Sequence, residues 1–215
     1  MRDINPVNGD ERAVIAAFVD RGELVVGLDY EPYTDHLYIR IFPGNRIRVI
    51  DRPAGRIKRE VAVPSLPLGG RDFAIRSLDR HFFFADPTAP ALIEADLRGN
   101  LEDYFLLEGL ESPVWGIAHD QVSGELLILA AETTDRVRRH GTDGSFRSEL
   151  KLEQAVRGLS FAYDPEARRY FASLADGTGI GVFDERGRLL RSLPRPDPSR
   201  ETFIAVGPRS LLRLF

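Results

Sequence analysis

Short apolar runs separated by polar turns recur along the whole chain. One arrangement repeats: an apolar strand, a polar residue, a short turn ending in glycine, then a second apolar strand. It occurs as Arg48-Val49-Ile50-Asp51 with Gly55 and Ile57 to Val63, and again as Leu92 to Asp96 with Gly99 and Leu101 to Leu107. Further copies are Val137 to His140 with Gly144 and Phe146 to Leu152, and Ile180 to Asp184 with Gly187 and Leu189 to Leu193. A fifth copy opens the chain as Ile4-Asn5, Gly9 and Ala13 to Val19. The turn glycines Gly9, Gly55, Gly99, Gly144 and Gly187 are 46, 44, 45 and 43 residues apart. Glycine there supplies the positive φ that a tight hairpin needs.

Between these hairpins lies a second pattern, an apolar strand turning through polar residues into another. It pairs Val25 to Tyr30 with Leu37 to Ile41, Phe73 to Ile75 with Phe82 to Ala85, and Trp115 to Ala118 with Leu126 to Ala130. It continues as Leu159 to Tyr163 with Tyr170 to Leu174, and as Phe203 to Val206 with Leu211 to Phe215. Four strands in roughly 40–45 residues is the period of a propeller blade. The expected fold is therefore all-β, a five-bladed β-propeller with four antiparallel strands per blade. The blades are expected at about 22–65, 70–108, 113–152 and 156–194. The fifth combines 201–215 with 2–19, a two-plus-two strand lock that would remove exposed sheet edges. On this reading residues 1–215 form one domain. Two alternatives stand beside it: a piece of a larger propeller, and a helix over 10–19 capped by Asp10, which the repeat register turns towards strand.

The stretch Asp35-His36-Leu37-Tyr38-Ile39-Arg40, with Gly44-Asn45-Arg46-Ile47-Arg48-Val49-Ile50-Asp51 and Ala54-Gly55, resembles a blade of the YVTN/NHL-type bacterial β-propeller repeats. Ser112-Pro113-Val114-Trp115-Gly116-Ile117-Ala118 resembles the same repeat. The likeness is best over 22–64 and 112–193, thin over 66–108, and departs from the family pattern at Tyr38-Ile39-Arg40-Ile41. It implies a scaffold family with binding members and a few enzymes, because the repeat specifies packing and not activity.

Composition narrows the function classes. Arg+Lys is 29 against Asp+Glu 33, a net charge of −4, which gives no basic excess for gripping nucleic acid. The absence of cysteine excludes disulfides, cysteine-rich zinc sites and thiol catalysis. No apolar run approaches the roughly 20 residues of a membrane-spanning helix, so membrane insertion is not expected. No apolar signal region follows Met1, so the chain reads as cytoplasmic or as the mature form of an exported protein. No Walker motif, EF-hand loop or G-x-S-x-G elbow occurs.

Loops between blades and loops joining second to third strands should share one face, called the top. That face collects Arg71, Glu111, Trp115, Arg157 and Glu201, the candidate ligand-binding residues, together with Asn45, Arg46, Asp86, Glu132, Asp135, Arg136 and Asp176. Trp115, the single tryptophan, is either a wall of a binding mouth or a core aromatic. Arg71 and Arg157 could take an anionic group by paired hydrogen bonds, or could be neutralised by Glu111, Glu201 or other carboxylates. His36, His81, His119 and His140 fall at the opposite end and are expected to be exposed or half-exposed. The leading expectation is a monomeric, non-catalytic scaffold without cofactor, binding a protein partner or small anionic ligand at the top. The runner-up, resembling some propeller enzymes, is a lactonase-like hydrolase with calcium held by Glu111, Asp135 and Glu201. A glycoside hydrolase, with carboxylates across the channel, comes third.

Overall fold

The computed structural model describes residues 1–4, 10–14, 18–69, 71–195 and 202–206. Every regular element among them is a β-strand, and every strand pairing is antiparallel. β1 (Arg2–Ile4) pairs antiparallel with β2 (Glu11–Val14). The first four-stranded sheet is β3 (Leu24–Glu31), β4 (His36–Phe42), β5 (Arg46–Asp51) and β6 (Arg56–Ala62). The second is β7 (Phe73–Arg76), β8 (His81–Ala85), β9 (Ala91–Ala95) and β10 (Leu101–Leu106). Then come β11 (Gly116–His119), β12 (Leu126–Leu129), β13 (Thr133–His140), β14 (Phe146–Asp164), β15 (Arg169–Leu174), β16 (Ile180–Phe183) and β17 (Leu189–Leu193), in one seven-stranded sheet.

That last sheet is two four-strand meanders sharing one strand. β14 pairs with β13 from Phe146 to Arg157, and with β15 at Val156 and again from Phe161 to Asp164. The sequence places a break near residue 153. The backbone instead runs through it extended, with register shifts absorbing the change of partner.

The sequence lacks polar–apolar alternation in its middle strands because those strands are buried on both faces. Phe82 and Phe84 of β8 pack with Tyr38, Val49 and Phe73, while Phe83 and Ala85 face Ile117, Leu126 and Ile128. Leu127 and Leu129 of β12 then face Phe161, Tyr170 and Phe183. Each sheet is thus pressed between its neighbours. The fourth strands β6 and β10 are mostly exposed, which is where the charged residues collect. Two faces remain at the ends of this stack. Met1, Phe18 and Val19 lie against Leu37, Ile39, Ile41 and Ile50, and Ile204 and Val206 lie against Phe171, Ile180, Val182 and Leu193.

Neighbouring sheets are also tied by polar groups. Asp29 accepts a hydrogen bond from the Ile75 backbone N–H at 2.7 Å, and Gln121 bridges to Ser77 N and Ile75 O at 2.9 and 2.7 Å. The fourth-strand ends meet the hairpin turns of the next sheet: Glu108 N donates to Gly144 O at 2.9 Å, and Glu153 N to Gly187 O at 2.8 Å. Aspartates close those turns, Asp184 accepting from the N–H groups of Arg186 and Arg188, both at 2.9 Å.

Two expectations change here. The histidines do sit together at one end of the sheets, but His36, His119 and His140 are buried and only His81 is half-exposed. Burial holds the first three below the ordinary imidazole pKa, so they pack as neutral rings, His119 stacked on Phe83. As for the lock, Glu11–Val14 is strand as expected and pairs with β1, but the expected strand Phe203 to Val206 is not formed, residues 202–206 belonging to no strand. Gly9 and residues 207–215 lie outside the described residues.

Candidate functional site

The connections between sheets and the second-to-third-strand loops meet at one end of the molecule. Asn45 donates to Leu66 O at 2.7 Å, Ser112 to Ala130 O at 2.7 Å, and Gly158 N to Glu132 O at 2.8 Å. The apolar strands fix this, because each connection must return to start the next inner strand.

Arg71 stands at the start of the second sheet, and two buried neighbours pin the backbone there. Arg40, 1% exposed, donates from Nη1 to Arg71 O at 2.6 Å. Asp72, 4% exposed, takes Ala85 N–H on its own carbonyl at 3.3 Å and Ile117 N–H on its carboxylate at 3.5 Å. Burial pulls the Arg40 guanidinium down to about 10, with Asp72 opposing, and pushes the Asp72 carboxyl well above its ordinary value.

From this fixed backbone the Arg71 side chain crosses to Trp115. Its guanidinium carbon lies 3.5 Å from the centroid of the tryptophan ring, a close cation–π contact. Trp115, half-buried, is held through its backbone N–H, which donates to Leu129 O at 2.8 Å. Across from it the chain can approach only as glycine: a Cβ on Gly158 would stand 2.6 Å from the Trp115 Cβ. Burial lowers the Arg71 pKa and the Glu132 carboxylate raises it again. Arg71 Nη1 is shielded from water yet meets no hydrogen-bond partner among the described residues. The cation is therefore oriented and only partly neutralised.

The structure joins Arg71 to Trp115 and brings Glu132 within electrostatic reach. Arg157 is exposed on β14 opposite Thr133, one residue from Gly158. Glu111 is exposed between β10 and β11, and the described residues show no ion pair joining it to either arginine. Glu201 lies outside the described residues. Asp135, named as a calcium ligand, faces Arg136 and Lys151, each at 3.8 Å. Among the described residues no group of three or more His, Asp or Glu side chains is placed to hold a metal ion. Among them, too, no helix is long and apolar enough to cross a membrane. Asp176 closes its own hairpin, accepting from Thr178 N and Oγ1 at 2.9 and 2.8 Å. A cleft of about 540 Å3 opens among the same set of loops, beside Ser65, Pro67 and Asp86, and runs on to Asp103 and Tyr104 of β10. Sequence reasoning missed Arg40 and Asp72; a charged residue inside an apolar run, as in Ile39-Arg40-Ile41, was the available signal.

This stack of antiparallel meanders, inner strand beside inner strand, defines a β-propeller type of protein. Solved structures agree. The chain is similar to one in the crystal structure of a nidogen/laminin complex, with TM-score 0.58, 19% identity, and 87% of this chain and 70% of that one covered. It is similar to Myxococcus xanthus glutaminyl cyclase, with TM-score 0.56, 13% identity, and coverage of 77% and 68%. It is also similar to a streptogramin B lyase, with TM-score 0.52, 18% identity, and coverage of 85% and 57%. At these identities the likeness shows the fold alone. No family model matches the chain, and no curated protein matches it in sequence.

Proposed function

We propose that this chain is a non-catalytic binding scaffold, working without a cofactor, whose top face receives an acidic partner surface or a small anionic ligand. The observation that carries this is the Arg71 guanidinium held on Trp115 at 3.5 Å with a hydrogen-bonding nitrogen unused among the described residues. An anion arriving there meets a fixed cation and an aromatic wall, and Arg157 and Glu111 rim the same end. The neighbours' titles span both classes, a protein–protein complex as well as a cyclase and a lyase, so fold likeness does not decide between binding and catalysis.

In this reading the repeat is of YVTN/NHL type, residues 1–215 are one monomeric domain, and a fifth blade fills the gap between first and fourth. The terminal segments support it: the first lies on the first blade's free face and 204–206 on the fourth's.

Trp115 gives the assay, since it is the single tryptophan. Titration with a glutamate hexapeptide should change its fluorescence saturably. Binding should weaken as salt rises, because exposed charges are screened over about 8–10 Å near physiological ionic strength. Arg71→Ala should weaken it at least tenfold, while Arg59→Ala, at the other end, should leave it unchanged. Unchanged affinity in both Arg71→Ala and Arg157→Ala would overturn this assignment.

A further inference from the structure

At the histidine-bearing end, the first two sheets leave a cleft of about 230 Å3 whose lining contains three cations and no carboxylate. Lys58 and Arg59 come from β6, and Arg80 from the turn between β7 and β8. In a regular strand Lys58 and Arg59 would point to opposite faces. Here Val49 pairs with Arg59 while Ile50 pairs with Ile57, so Lys58 is the extra residue of a bulge. Such a bulge re-aims side chains, and both cations line the same cleft.

None of the three is ion-paired among the described residues, although Arg59 hydrogen-bonds the Tyr38 hydroxyl. Elsewhere in the first sheet Arg46, Arg48 and Arg52 are ion-paired with Glu23, Glu60 and Asp35. Asp51, Glu31 and Asp35 act on the cleft electrostatically through His36, but each points its oxygens at a partner of its own. Asp35 takes the Arg52 fork at 2.6 and 2.7 Å, Glu31 accepts from Tyr33 N and Thr34 N at 3.0 and 2.9 Å, and Asp51 accepts from Ala54 N at 3.0 Å. Thr34 and Tyr38 add hydroxyls to the lining, and Val49 and Leu97 an apolar floor. His36 lies beside Lys58, its Nε2 3.3 Å from Nζ.

We infer that this cleft is a second binding site, for a small phosphate ester. Two guanidinium forks and an ammonium suit a dianionic oxyanion with several terminal oxygens. The floor suits an organic remainder of a few carbons. The volume falls below the ~300–1,000 Å3 of pockets for drug-sized ligands, which keeps the ligand small.

The test is calorimetric titration of the full chain with glycerol phosphate, with inorganic phosphate, and with chloride at matched ionic strength. Glycerol phosphate should bind one to one, more tightly than inorganic phosphate, and chloride should give no saturable heat. Arg59→Gln and Arg80→Gln should each weaken binding at least tenfold. Both residues are exposed, so each variant should melt at the wild-type temperature without phosphate; Lys58→Gln replaces either one that does not. Arg71→Gln, at the other end, should leave phosphate binding intact, which separates this site from the top-face reading. Absence of saturable binding, equal affinity for ester and free phosphate, or unchanged affinity in the cleft variants would each overturn the inference.

Discussion

Gly55 and Gly144 occupy the same turn in the first and third repeats and both have positive φ, +61° and +82°. Their surroundings differ. A Cβ on Gly144 would stand 2.3 Å from Leu106 O of the preceding sheet, whereas one on Gly55 meets nothing within 4 Å. Gly55→Val should therefore cost about 1–3 kcal/mol, the strain of a left-handed backbone alone. Gly144→Val should cost clearly more, because the preceding sheet must also move. Chemical denaturation of the two variants checks this, and equal losses would contradict it. Asp29 offers a second test at this scale. Burial pushes its carboxyl up to about 7, despite hydrogen bonds from Tyr30 N and Ile75 N that favour the charged form. The folded state holds this proton after the unfolded state has lost it, so the contribution of Asp29 to stability falls as pH rises from about 4 to 7. An asparagine oxygen can still accept from Ile75 N. Asp29→Asn should thus gain stability relative to wild type across that window, by up to about 4 kcal/mol above it. A difference in melting temperature that stays constant from pH 4 to 8 would refute this. Measuring the difference also cancels the buried histidines, whose lowered pKa values act with opposite sign below about pH 6.5.

At the scale of elements, stability rests on strands buried on two sides. β8 is the clearest case, with Phe82, Phe83 and Phe84 each at 0% exposure. Phe82 meets Tyr38 edge-on at 5.8 Å, and Phe83 stacks with His119 at 6.2 Å, so one strand joins three sheets. Phe82→Ala should cost about 3–5 kcal/mol through lost burial and the cavity left behind. Leu106→Ala, on the exposed fourth strand at 63% exposure, should cost far less. A comparable loss for both, measured by urea unfolding, would show that the sheets do not stack as described. The uninterrupted β14 belongs to this scale too. The sequence there carries no glycine between Phe146 and Arg157 to mark a turn, and the backbone remains extended across two meanders.

For the whole molecule the open matter is closure. Ile204 and Val206 cover a face of the fourth blade formed by Phe171, Ile180, Val182 and Leu193. If the chain's ends complete a fifth blade, deleting residues 203–215 strips that cover and leaves sheet edges exposed. The truncated protein should then melt at lower temperature and aggregate, as read by thermal unfolding and light scattering. A monomeric truncation with unchanged melting temperature would exclude the two-plus-two lock.

The sequence by itself determined the order of hairpins between Leu24 and Leu193, the repeat length and the turn glycines Gly55, Gly99, Gly144 and Gly187, because these depend on local chemistry: apolar runs that must be buried and positions where only glycine is cheap. It also placed Arg71 and Trp115 at one end, since alternating hairpins leave no freedom about which loops share a face. Only the tertiary structure decided what those residues touch. Arg71 meets Trp115 across 44 positions, Arg40 holds Arg71 from 31 positions away, and Asp29 ties to Ile75 in the next sheet. The burial of His36, His119 and His140, and the bulge that turns Lys58 and Arg59 into one cleft, were equally hidden. Such contacts depend on how far each sheet twists and how closely it stacks on the next. Those quantities come from the sum of packing over many side chains, and no short stretch of sequence records them.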